Sequence, residues 1–146
     1  MSHPNDRGGP YPSVVILSDG VRSSDDDGLS TKLTRVVSST TVPTLGTTVS
    51  LRLVVVFYGG VRRGQTDLVV TIFGPTGEYP GHVESFRYEG SPFDSTRFDI
   101  PIAFVADGVG PYWFDVRVGD HFLSRVPLVV NLPGRRYNWL TDDPFG

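Results

Sequence analysis

The chain contains no cysteine, a single methionine and a single lysine, Lys32. Without cysteine there are no disulfides and no thiolate metal ligands, although that alone leaves the compartment open. Alanine, lysine and methionine are all scarce, so helix-favouring composition is missing, and no stretch sustains a 3.6-residue apolar period. No apolar run approaches the ~20 residues of a membrane-spanning helix. Residues 1–12, MSHPNDRGGPYP, lack the basic start and apolar run of a secretory signal. A cytoplasmic protein with no membrane contact is therefore expected. Positive charge is never concentrated either: the net charge is −3, and the longest basic blocks are the pairs Arg62-Arg63 and Arg135-Arg136. Nucleic-acid binding needs a dense basic footprint, so no nucleic-acid partner is expected. Twelve arginines against one lysine is the usage of a GC-rich bacterial or phage genome.

What is present favours strands. Valine, threonine and aromatic residues suit a pleated, half-buried surface, and 17 glycines with 12 prolines supply frequent turns. The 146 residues fit one domain. Composition along the chain divides it into a flexible N-terminal arm (1–12), a folded domain (13–132) and an aromatic C-terminal tail (133–146), PGRRYNWLTDDPFG.

Residues 110–130, GPYWFDVRVGDHFLSRVPLVV, carry the clearest pattern. Tyr112, Phe114, Val116 and Val118 alternate with Trp113, Asp115 and Arg117, the period of a strand with one face on a core. The return strand places Phe122, Val126 and Leu128 on one face. A two-residue turn at Gly119-Asp120 would set Phe114 against Arg125. A three-residue turn ending at His121 instead pairs Phe114 with Val126, Val118 with Phe122 and Asp115 with Arg125. The second facing is expected because a one-residue slip would turn polar groups into the core, and a bulge would give the same facing.

Elsewhere 13–17 reads as a short strand buried on both faces, 19–31 as a loop and 33–41 as a weak strand. Residues 49–58 form the strongest strand, with Val49, Leu51, Leu53, Val55 and Phe57 on one side. Leu68, Val70 and Ile72 are the core set of 67–73, and Gly74-Pro75-Thr76-Gly77 is a turn. A modest strand at 82–88 is followed by 97–105, with Phe98, Ile100, Ile102 and Phe104 inward. Pro101 and Pro127 cannot donate to a ladder and belong at an edge or bulge. This makes an all-β, single-domain antiparallel β-sandwich of about 7–8 strands.

The segment VVILSDG at 14–20, the strand–GPTG–strand unit at 69–79 and the closing pattern at 110–130 resemble a family of small bacterial β-sandwich proteins of uncharacterised function. The resemblance covers 13–132 and implies an immunoglobulin-like sandwich. It brings no activity and no catalytic residues.

No reactive constellation stands out. Asp25, Asp26 and Asp27 lack the alternating spacing and distal Glu of a calcium loop and read as a solvated turn. His3, His82 and His121 have no ligand spacing, so no metal and no cofactor is expected. There is no G-x-S-x-G elbow, and Glu84, Asp94 and Asp99 read as solvated strand carboxylates, so the chain is expected to be non-catalytic. Tyr112 follows a glycine corner and is either a tyrosine corner, its hydroxyl bonded to the preceding loop, or a plain core aromatic.

The same alternation sends Val54, Val56, Val69, Phe73 and Trp113 outward. A contiguous apolar patch marks a contact surface unless something covers it, and Tyr137, Trp139, Leu140 and Phe145 in the tail are apolar enough to do so. The expected interface set is Val54, Val56, Val69, Phe73, Trp113, Tyr137 and Trp139, with Trp113 as anchor. The leading expectation is a protein-interaction module, binding a protein partner or itself as an oligomer, in a bacterial or phage assembly. The alternative is a carbohydrate-binding module stacking sugars on Tyr79, Tyr88, Trp113 and Trp139. A small hydrolase ranks third and would need a convergent pocket with a perturbed carboxylate or histidine.

Overall fold

The computed structural model describes residues 9–19, 21–23, 31–33, 36–90, 95–135 and 138. Among them are ten strands and no helix: β1 (Tyr11–Ser18), β2 (Val21–Ser23), β3 (Thr31–Leu33), β4 (Ser39–Thr41), β5 (Thr47–Tyr58), β6 (Arg63–Gly74), β7 (Gly77–Glu89), β8 (Ser95–Ala106), β9 (Gly110–Val118) and β10 (His121–Asn131). Eight strands make two sheets, ordered β1-β5-β8 and β4-β10-β9-β6-β7, while β2 and β3 pair only with each other. All pairings are antiparallel except β4 with β10. The protein is a β-sandwich.

Alternation of side chains builds the core between the sheets. Leu53, Val55 and Phe57 on β5 and Ile100, Ile102 and Phe104 on β8 face Leu68, Val70, Ile72, Tyr112, Phe114 and Val116, all of them buried. Each fully buried side chain of this kind contributes about 1.5–3 kcal/mol over its exposed state. Aromatic edges lock the layers at both ends. Phe57 meets Phe86 with centroids 5.6 Å apart, and Phe104 meets Phe114 at 5.9 Å. Between β6 and β7, Gly74 pairs with Gly77, so Pro75-Thr76 forms the tight turn their chemistry predicts.

The closing hairpin keeps the expected facing by a different route. Phe114 lies opposite Val126 and Asp115 opposite Arg125, but Val118 faces His121 and Arg117 faces Phe122, with a bulge between Phe122 and Ser124. The turn is therefore Gly119-Asp120, its left-handed backbone confined to Gly119 (φ 57°), which glycine adopts without a Cβ clash. The extra residue moves Phe122 out of the core set, to 44% exposure, and puts Leu123 in at 8%.

Other expectations change with sheet position. The strand expected to be buried on both faces lies at a sheet edge: β5 is its one partner among the named strands, a single bridge joins Ser18 to Val36, and Tyr11 through Val14 are exposed. It begins at Tyr11, and Gly9 and Pro10 before it are buried. Within the expected 19–31 loop, Val21–Ser23 pairs with Thr31–Leu33. The weak strand shortens to β4, alongside Val129–Asn131. Both prolines obey the donor argument, since β8 carries Pro101 at a sheet edge and β4 pairs with β10 only beyond Pro127.

Candidate functional site

The residues expected to form one patch lie on opposite sides of the sandwich. Val54 and Val56 belong to β5 and look outward from the three-stranded sheet, whereas Val69, Phe73 and Trp113 look outward from the five-stranded sheet. Tyr137 and Trp139 fall outside the described residues.

On the five-stranded face, register assembles three rows. Phe73, Trp113 and Pro127 stand opposite one another across β6, β9 and β10. Thr71, Asp115 and Arg125 form the next row. In the third, Val69 lies between Val83 on β7 and Arg117 on β9. Asp115 is 5% exposed, and Arg125 grips it with two bonds, Nε to Oδ1 at 2.6 Å and Nη2 to Oδ2 at 2.8 Å. This bidentate fork is the strong form of an ion pair, and it holds the Arg125 guanidinium above its ordinary basicity. The same guanidinium sits 5.9 Å from the Trp113 ring centroid, and Arg117 sits 5.4 Å from that of Phe122. Trp113 is half-buried, braced by in-register neighbours and a cation fixed from below. Phe73 is exposed beside it, and Val83 is exposed two rows along the same face.

The three-stranded face is built differently. Val54 points outward as its parity requires, yet only 3% of it is exposed. It occupies the central strand between Ile16 and Asp99, and Arg52, two residues along the same face, reaches Asp99 at 3.7 Å. Val54 therefore cannot present surface to a partner, and the expectation is corrected for this residue. Val56 is half-buried; the exposed apolar groups lie toward one end, where Tyr11 pairs with Tyr58 and Val14 with Val56.

The stacking aromatics named for a carbohydrate platform do not share a face. Tyr88 is buried in the cluster with Phe57 and Phe86. Tyr79 packs against Phe104 and Tyr112, and its hydroxyl donates to Asp107 beside Thr76. Burial, with the Asp107 bond second, raises the Tyr79 pKa, so its proton stays in place. Of the tyrosine alternatives, Tyr112 is both. It is wholly buried, and its hydroxyl donates to the Gly108 carbonyl at 2.9 Å and accepts from the Gly108 amide at 3.1 Å. That closes the loop before β9 as a tyrosine corner does.

Among the described residues, no three His, Cys, Asp or Glu side chains gather as a metal site would require. Glu84 is exposed on β7, while Asp99 is committed to Arg52 on the opposite sheet. His82 lies on β7 and His121 at the hairpin; His3, Asp25, Asp26, Asp27 and Asp94 lie outside the described residues. Sequence reasoning missed Val83, Arg125 and Pro127 as members of the outer face. The predicted Phe114–Val126 register already implied the last two; Val83 needed the β6–β7 pairing.

A two-layer β-sandwich with a structured aromatic–cationic outer face is the class that fold and surface define. No protein-family model matches the chain, and no curated protein sequence is similar to it.

Proposed function

We propose that the protein is a non-catalytic interaction module that binds protein through the outer face of its five-stranded sheet. The observation that carries this reading is Trp113, set between Phe73 and Pro127 and braced by the Arg125–Asp115 fork. Tryptophan and arginine are enriched among interface hot spots, which sit in well-packed, desolvated centres. The finer reading of the fold is immunoglobulin-like, supported by the strand order and by the tyrosine corner at the start of β9. The role fits a cytoplasmic subunit of a bacterial or phage assembly, or a homo-oligomer.

The test is sedimentation of the purified chain across concentration, paired with capture of partners from the native host, for wild type and for Trp113→Ala. Self-association or a captured partner that is lost in Trp113→Ala but kept in Tyr58→Ala on the other face is the expected result. A monomer with no partner, or a partner indifferent to Trp113, would overturn it.

A further inference from the structure

After β10 the chain reverses. Pro133 and Gly134 make a tight turn, with Gly134 in the left-handed region at φ 73°. Across it the Leu132 amide donates to the Arg135 carbonyl at 3.1 Å, and the Arg135 amide to the Leu132 carbonyl at 3.0 Å. At Arg135 the chain is thus heading back along β10, toward Pro127 and Arg125.

Two routes along β10 are closed from there. Its free edge is taken by β4, which pairs with Val129, Val130 and Asn131, and two further bonds join Val42 to Asn131 and Ser38 to Val129. Its inner side is filled by the core, with Leu128 and Val130 at 0% exposure. The outer face is open, and β10 presents Pro127 and Arg125 on it. Residues 136–146, RYNWLTDDPFG, carry Tyr137, Trp139, Leu140 and Phe145, apolar surface that gains free energy by leaving water.

We propose that residues 136–146 form an intramolecular strap across the outer face, with Trp139 packed on Trp113 and the Asp142-Asp143 pair on Arg125, and that a protein partner must displace it. Length and chemistry both fit. Counted back residue for residue from the Leu132–Arg135 pairing, at about 3.3 Å each, Leu140 comes level with Pro127 and Asp142 with Arg125. Pro127 shares its row with Trp113 and Phe73, so the apolar part of the strap arrives at the apolar row. The acidic part arrives one row on, where the Arg125 side chain is 54% exposed. Asp115 takes its Nε and Nη2, so a second carboxylate meets Nη1. A tether this short holds the aromatic at an effective concentration on the order of millimolar, so weak packing is enough to close the strap. The docking follows from the turn and the register; the competition with a partner rests on the outer-face reading.

The test follows the two tryptophan indole N–H resonances of the full chain, comparing wild type with Trp139→Ala and with the double variant Asp142→Asn, Asp143→Asn. Trp139→Ala is expected to move the Trp113 indole and the Phe73 and Arg125 amides, equally at low and high protein concentration, and the double variant to move them less. It is also expected to tighten the captured partner about 3- to 10-fold, since a closed strap lowers the binding-competent fraction. A Trp113 resonance indifferent to Trp139 would overturn the strap. Shifts that grow only with concentration would put the tail on a second copy and overturn the intramolecular assignment. A Trp113 shift with partner affinity unchanged would keep the strap and overturn the outer-face binding reading instead.

Discussion

The two outer faces of this sandwich carry the same apolar alternation and do different things with it. On the three-stranded sheet the central residue, Val54, is closed in at 3% exposure, and the nearby charges of Arg52 and Asp99 meet at a loose 3.7 Å. On the five-stranded sheet the enclosed central residue is a carboxylate, Asp115, and the arginine that satisfies it also stacks beside Trp113. One face spends its centre on aliphatic packing. The other spends it on a buried charge whose partner orders an aromatic. Burying a carboxylate is unfavourable unless it is paired, so an arrangement of this kind contributes little net stability and much positional order.

That contrast can be tested from its largest expected effect downward. Trp113→Ala is expected to weaken partner binding by 2 kcal/mol or more, roughly 30-fold, while Val56→Ala on the other face leaves it within about 0.5 kcal/mol. Calorimetric titration against the captured partner, or the dimer dissociation constant, reads both; equal losses would erase the distinction. Next come the ion pairs. Arg125→Ala strands the Asp115 carboxylate and should cost about 2 kcal/mol in urea unfolding, less than a fully buried pair because the Arg125 side chain is 54% exposed. Arg52→Ala should cost under about 0.5 kcal/mol. Similar midpoints for the two variants would show that the bidentate geometry adds nothing.

A smaller effect separates enclosed from half-enclosed valines. Val54→Thr places a hydroxyl where water has no access and should cost about 1–2 kcal/mol, whereas Val69→Thr should cost about half as much. Equal stabilities by thermal unfolding would mean the three-stranded face is more open than its geometry indicates. The smallest effect is expected at the margins. Val14→Lys on the exposed part of β1 and Val83→Lys on β7 should each change stability by less than about 0.5 kcal/mol. On the binding reading, only the second should lower affinity for the partner.

Much of the fold was legible because alternation is local. The inward sets of β5, β6, β8 and β9 follow from counting by two, and so does the outward sense of Trp113 and Val54. The Phe114–Val126 facing was legible too, since only that facing keeps the polar groups out. The bulge that delivers it was not: Phe122 and Leu123 are both apolar, and nothing in their chemistry says which one takes the core. The fate of β1 was hidden for a similar reason. An aliphatic run reads alike whether strands cover it on both sides or on one.

Side-chain parity along each strand, the position of the tight turns and the all-β character were determined by the sequence alone, because each depends on neighbours within a few residues. Which face each outward residue joined, whether it met water there, and which polar groups converged at the end of the sandwich were decided by the tertiary structure. Those outcomes depend on strands brought together from far along the chain, as when β6 and β9 set Phe73 beside Trp113 and β5 carried Val54 to the opposite side. Alternation states the direction in which a side chain points. Only the assembled sheets supply what it points at.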